Sequence, residues 1–174
     1  YFLRYACPDN TTAMVDEREA APDEASETLL QQFRVVLKAV KTHFRQVEAV
    51  TGIGGSQVWA LSVVAASPGI GVSELARRLS VRQPTASVLV RHLVQHRMLE
   101  TVQHPQDRRS LQLFATAAGQ LLLQRAPQPF SGVLPKALGQ LDRATQARMI
   151  QDMARLIQVM GADAGAVGTP LDQL

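Results

Sequence analysis

The segment 72–116 constrains the fold most strongly, because its hydrophobic period changes from helical to alternating along the segment. Up to about residue 97, apolar residues recur every three to four positions, which predicts two short helices. From Leu99 onward the pattern alternates and predicts two strands, Leu99–Val102 and Ser110–Ala115, with a turn at Gln103–Arg109. The segment therefore predicts a helix pair followed by a small β-hairpin, within a mainly α chain.

Longer helical patterns flank this segment on both sides. A helix is predicted over 29–50, and a second one over Ser56–Ala66. After the hairpin, helix signals return at Ala117, and three prolines, at 127, 129 and 135, are expected to kink or divide that stretch. A last helix is predicted behind Asp142 as cap, with one apolar stripe formed by Met149, Met153, Leu156, Ile157 and Met160. We interpret this stripe as core or as a dimer interface.

The helix pair has the pattern of a helix-turn-helix. Its first helix is predicted at Val72–Leu79, and its second begins at Pro84 with Gln83 as the cap. The side of the second helix predicted to face the core carries Ala86, Leu89, Val90 and Leu93. The outer side carries the candidate DNA-contacting residues Thr85, Ser87, Val88, Arg91 and His92, with Arg82 and Gln83 at the helix start. An ordinary amphipathic surface helix would show the same pattern, so the helix alone does not decide between the two.

The hairpin turn favours the DNA-binding interpretation. It carries Arg108 and Arg109, and Asp107 is predicted to support the shape of the turn. An arginine on a narrow projecting loop suits contact with a minor groove or with phosphate. All seven basic residues of segment 72–116 are arginine, against three acidic residues, and arginine binds phosphate and guanine in a bidentate manner. Solvated charges are also common at hairpin tips in proteins of other classes.

These residues resemble the MarR family of winged-helix regulators over about residues 30–160. The resemblance is carried by the stretches SQVWAL, PG, SELARRLSVRQPTASVLVRHLVQHRML and HPQDRRSLQLFATAAG. Its most specific part is Asp107-Arg108-Arg109, followed by Leu113, Thr116 and Gly119. Arg97 stands where the family usually has glycine after the recognition helix, so we expect this turn to differ.

The resemblance implies a fold and assigns a function to each part of the chain. It implies a winged helix-turn-helix DNA-binding domain at 56–116 and a helical dimerisation region at 29–50 and 117–160. The expected function is that of a transcription regulator, a repressor, that binds a palindromic operator on double-stranded DNA as a homodimer. The recognition helix would enter the major groove and the arginine wing the minor groove. A small-molecule effector would release the DNA, from a pocket to which we assign Phe33, Leu37 and Trp59.

The distribution of charge and the number of cysteines suggest the kind of binding partner and the cellular compartment of the chain. Residues 1–30 carry seven acidic and two basic side chains, whereas the rest of the chain is basic, which suits a polyanionic partner. We expect a flexible acidic arm at 1–28 and a flexible tail at 161–174, with Met14 a candidate natural start that would leave 1–13 as non-native. A single cysteine, Cys7, allows no internal disulfide, and with no membrane-spanning run the chain is expected in the cytoplasm, away from membranes.

Other chemistry has weaker support in the sequence. No catalytic motif is recognisable, and neither an enzyme nor a cofactor is expected, although a small enzyme with an unrecognised site is one alternative. His92 and His96 have the spacing of a helical metal pair, but isolated histidine pairs are weak motifs and no metal is expected. Two further alternatives are a winged-helix module that binds a protein partner and a redox-responsive regulator that senses through Cys7.

Overall fold

The computed structural model describes residues 23–104, 107–162 and 169–173, with backbone only for 104, 107–110 and 173. The elements are α1 (Glu24–Thr51), α2 (Gly55–Ala66), β1 (Ile70–Gly71), α3 (Val72–Leu79), α4 (Gln83–Gln95), β2 (Leu99–His104), β3 (Asp107–Ala115), α5 (Ala117–Arg125), α6 (Val133–Gln140) and α7 (Arg143–Val159), followed by a 3-10 turn at Leu171–Gln173. This architecture confirms a mainly α fold with a small β-hairpin wing.

The core lies between α2 and the elements that follow it. Helix α2 is apolar on most sides and buries Val58, Leu61 and Val64. Leu75 of α3 and Leu93 of α4 pack into the same cluster. Since the apolar faces of α3 and α4 both reach this cluster, their polar faces are left on the outside.

The sheet has three antiparallel strands in the order β1-β3-β2. Ile70 pairs with Leu113, and Leu99 pairs with Ala115. Strand β1 is only two residues long and was not predicted from the sequence. It ties the start of α3 to the hairpin, so the helix pair and the wing form one unit.

The ends of several elements differ from the sequence prediction. Helix α1 begins at Glu24, because Asp23 caps it by accepting a hydrogen bond from the Ser26 amide at 2.8 Å. Residues 24–28, assigned above to the arm, are therefore helical. Residues 1–22 of that arm, including Cys7, lie outside the described residues. At the other end, Asp142 caps α7 as predicted, through the amides of Ala144 and Thr145.

The outer helices leave a large apolar surface exposed. No residue of α6 or α7 is buried within the described part of the chain. The first half of α1 exposes Leu29, Phe33, Val36 and Leu37, and α7 exposes Met149, Met153, Leu156 and Ile157. Within the described ranges no single helix is long and apolar enough to cross a membrane. The helices α1 and α2, which meet at a bend of 69°, together reach the length and apolar composition that a span requires, on these two properties alone.

Candidate nucleic-acid interface

Helix α4 has one buried face and one exposed face, as the sequence predicts. Its buried residues are Ala86, Leu89, Val90 and Leu93. On the opposite side, Val88 has 58% of its surface exposed, and Arg91 is exposed as well. Thr85 and Ser87 are half-buried at the borders of this exposed face, and the Ser87 hydroxyl donates to the carbonyl of Gln83 at 3.0 Å.

The start of α4 lies one residue earlier than expected. Arg82 is the cap and Gln83 the first helical residue, where the sequence suggested Gln83 as cap and Pro84 as the first residue. Both Arg82 and Gln83 are exposed. No side chain caps this helix, so its first-turn amides are open to a phosphate oxygen, which also matches the positive end of the helix dipole. The Pro84 ring favours this arrangement because proline has no amide hydrogen to satisfy.

His92 has a different environment from the other predicted contact residues. Its ring stacks on His96 with centroids 4.1 Å apart and planes 18° apart. It lines an open cavity of about 540 Å³ together with Lys41, Glu48 and Gly54. His92 therefore lies at the edge of the exposed face of α4 that borders the cavity beside α1 and α2.

Two of the seven arginines of segment 72–116 are held within the domain. Arg77 donates to both carboxylate oxygens of Glu74, at 2.8 and 2.6 Å, and Arg78 donates to the same group at 2.9 Å. These hydrogen bonds, that of Arg77 first, lower the pKa of Glu74 below its usual value. In contrast, the guanidinium groups of Arg82 and Arg91 make no hydrogen bond or ion pair with any residue in the described ranges. Their charges remain available to a partner.

The hairpin is longer than the sequence indicated. Strand β2 continues to His104 and β3 begins at Asp107, so both strands extend into the segment Gln103–Arg109 that was predicted as the turn. Asp107, Arg108 and Arg109 therefore belong by backbone to the start of β3, next to the tip. Their side chains, predicted to support the wing and to contact DNA, lie outside the described part of the structure. Cross-strand pairing explains the extra length, which a local pattern broken by polar residues does not reveal.

A cavity of about 180 Å³ lies between α1, α2 and the segment around Phe130. Trp59, which was assigned from the sequence to an effector pocket, lines this cavity, and Phe44 and Phe130 supply further aromatic surface. Phe33 and Leu37, predicted to line the same pocket, lie instead on the exposed half of α1. Sequence reasoning missed Phe44, whose ring packs so closely on Gly55 that a β-carbon there would overlap it.

Metal chemistry finds no support in the described residues, where no group of three or more histidine, cysteine, aspartate or glutamate side chains could hold an ion. His92 and His96 stack on each other, and His96 Nδ1 lies 2.9 Å from the carbonyl oxygen of His92. That nitrogen is therefore engaged with the backbone of its own helix.

Comparison with known proteins supports the fold. Residues 51–110 match the model of the MarR family. The chain is similar to a MepR-like protein solved with pseudoligands, at 16% identity and a TM-score of 0.54, covering 79% of this chain and 97% of that one. It is also similar to the PcaV transcriptional regulator of Streptomyces coelicolor, solved with its natural ligand, at 22% identity and a TM-score of 0.52, covering 80% and 97%. The YusO protein of Bacillus subtilis gives 17% identity and a TM-score of 0.51, covering 79% and 98%.

A separate similarity is confined to 20 residues, which are 95% identical to part of the leucine–tRNA ligase of Dechloromonas aromatica. It covers 12% of this chain and 2% of the ligase, so the chain spans a very small part of that curated relative. The similarity to the solved structures is spread over most of the chain and concerns the fold. Residues 51–110 are thus similar to the MarR family by its model, and the likeness to the solved structures supports a winged-helix fold.

Proposed function

We propose that this chain is a sequence-specific, DNA-binding transcription regulator that acts as a repressor in the cytoplasm and not as an enzyme. The observation that carries the proposal is the exposed face of α4. Arg82 and Arg91 project from a helix whose opposite side is fixed in the core by Leu89 and Leu93. A helix that is packed on one side, and whose exposed arginines have no partner among the described residues, suits insertion into a major groove, where arginine contacts guanine.

The wing extends this surface to the DNA backbone or the minor groove. The hairpin is joined to the start of α3 through the pairing of β1 with β3, so strand β3 and the helix pair belong to one folded unit. Arg108 and Arg109 stand at the start of β3 beside the tip, which suits insertion into a narrow minor groove. Replacing Arg109 with alanine is expected to weaken binding to specific and random duplexes alike, and to reduce the salt dependence.

A homodimer would read two half-sites of a palindromic operator. The exposed apolar residues of α1 and α7 supply a surface for a second copy, since large exposed apolar patches mark interaction sites. Helix α7 has no buried residue of its own, and isolated helices of similar length are only marginally stable in water. Two recognition helices about 34 Å apart would then match successive major grooves.

A small-molecule effector bound beside Trp59 would control DNA affinity. The cavity touches α1, which belongs to the proposed dimer region, and α2, which belongs to the winged domain. A ligand there would favour one relative position of the two parts, and hence one separation of the recognition helices.

The experiment is a titration of labelled duplex DNA, taken from upstream of the chain's own coding region, at several salt concentrations. The proposal expects tight binding to this duplex, weaker binding to a shuffled sequence, and a steep loss of affinity with salt. Equal, salt-insensitive affinities for the two duplexes would contradict the proposal and would favour a winged-helix module that binds a protein. A reporter gene behind the bound sequence then distinguishes repression from activation.

A further inference from the structure

The segment Thr169–Asp172 lies against the start of α2. Asp172 Oδ2 accepts a hydrogen bond from the backbone amide of Ser56 at 2.7 Å, across 116 positions of sequence. All four residues of the segment also line the cavity that contains Trp59. The sequence predicted a flexible tail over 161–174, whereas this part of it is docked on the winged domain.

The contact supplies a hydrogen-bond acceptor for the first turn of α2, which has no side-chain cap of its own. The N-cap of α2 is Gly54, which has no side chain to accept a hydrogen bond from the first-turn amides. The Asp172 carboxylate supplies the missing acceptor and places negative charge at the positive end of the helix dipole. A β-carbon on Gly54 would lie only 3.2 Å from Asp172 Oδ2, so glycine leaves room for the carboxylate.

The second oxygen of the Asp172 carboxylate is not satisfied in the same way. Asp172 Oδ1 is buried and has no hydrogen-bond partner among the described residues. A buried charged oxygen without a partner is energetically unfavourable and offsets part of the gain from the Ser56 contact. This balance favours a docked segment that a competing molecule can displace.

The segment also limits the space beside Trp59. With Pro170 and Leu171 in place the cavity measures about 180 Å³. Pockets for drug-sized ligands are typically about 300–1,000 Å³, so a ligand of that size needs the segment to move away.

We propose that Thr169–Asp172 is a built-in plug of this cavity, with Asp172 occupying the position of an anionic ligand group. When the plug leaves, the first-turn amides of α2 can bind the carboxylate of a ligand. The aromatic residues that line the cavity can then contact the apolar part of the same ligand. This inference builds on the proposed effector pocket, but docking of the plug does not depend on DNA binding.

The chain provides its own reporter, because Trp59 is its single tryptophan and lines the plugged cavity. The experiment compares the full-length chain with the variants Asp172→Ala and Asp172→Asn. The control is Asp152→Ala, which removes a carboxylate from the exposed surface of α7. We expect both Asp172 variants to increase quenching of Trp59 fluorescence by acrylamide, alanine more than asparagine, while the control matches the parent. Identical quenching in all four proteins would overturn the docking of the plug.

A second arm tests competition, with benzoate as a small apolar carboxylate. Asp172→Ala is expected to bind benzoate about tenfold more tightly than the parent. In the parent, benzoate must displace the charge-assisted hydrogen bond between Asp172 and the Ser56 amide, and the loss of one such bond corresponds to about a tenfold change in affinity. Equal benzoate affinities would overturn the assignment of Asp172 as a competitor. Neither arm requires DNA, so failure of the chain to bind any duplex would count against the proposed function and leave this test intact.

Discussion

The Thr116 hydroxyl connects the turn after α4 to the start of α5, because it donates to the carbonyl of Arg97 at 2.7 Å. The same oxygen accepts from the amide of Gly119 at 3.1 Å and so caps α5. Arg97 has a φ of +57°, in the left-handed region that glycine adopts readily and other residues rarely adopt. The turn thus keeps a glycine-like geometry with an arginine in place, and Thr116 binds its carbonyl.

Replacing Thr116 with alanine should destabilise the protein by about 1 kcal/mol, the usual cost of removing an N-cap side chain. Thr116→Ser keeps the hydroxyl and should stay within a few tenths of a kcal/mol of the parent. Urea denaturation at neutral pH measures both free energies of unfolding. A Thr116→Ala variant as stable as Thr116→Ser would show that the hydroxyl contacts do not matter.

Gly119 permits the close approach of α5 to the turn that follows α4. A β-carbon on Gly119 would overlap the carbonyl oxygen of Met98 and would lie 3.0 Å from Leu61 Cδ1. Gly119→Ala should therefore destabilise the fold by about 1–3 kcal/mol through overpacking. Gly139→Ala is the matched control, because nothing lies within 4 Å of its added methyl group. This control should stabilise α6 by up to about 1 kcal/mol, so thermal melting of the two variants should shift in opposite directions.

Asp142 should make the stability of α7 depend on pH. Its hydrogen bonds, first from the Thr145 side chain and then from the Thr145 amide, lower the pKa of Asp142 below 3.8. Because the folded-state pKa is depressed, the contribution is fully present above about pH 4 and is lost as the pH falls through the lowered value. Asp142→Asn keeps a capping side chain but does not titrate, so it should lose less stability than the parent between about pH 5 and pH 3. Parallel pH profiles from urea denaturation would contradict the cap assignment.

The apolar stripe of α7 should control the association state. Met153→Asp puts a charge into that stripe and should convert the proposed dimer to monomer, since an unpaired charge is costly in an apolar interface. Gln151→Asp adds the same charge on the opposite side of the helix and should leave the dimer intact. Light scattering across a dilution series measures both variants. A dimer that tolerates Met153→Asp would place the interface elsewhere.

Local sequence signals predicted the elements that carry their own pattern. Helix α3 has the predicted bounds, Val72–Leu79, and the four buried residues of α4 are those on its apolar face. The Asp142 cap followed from a local signal as well. The start of α1 was placed too late, although Asp23 and two acidic residues in the first turn are a recognisable N-terminal signal.

Features that depend on distant partners could not be predicted in the same way. Strand β1 has two residues, too few for a period, and exists only through pairing with β3. The contact of Asp172 with Ser56 joins segments 116 positions apart, and no local pattern indicates it. The cavity that His92 lines is formed by α4 together with residues of α1 and α2, which helical periodicity alone does not reveal.

The central claim is that the exposed face of α4 reads DNA sequence, and Arg91 tests it most directly. The measurement compares affinities for the upstream duplex and a shuffled duplex, at one salt concentration, for the parent, Arg91→Ala and the control Arg155→Ala on the exposed surface of α7. We expect Arg91→Ala to lose about 1–3 kcal/mol of discrimination between the duplexes, whereas Arg155→Ala should keep it. Full discrimination in the Arg91→Ala protein would contradict the claim.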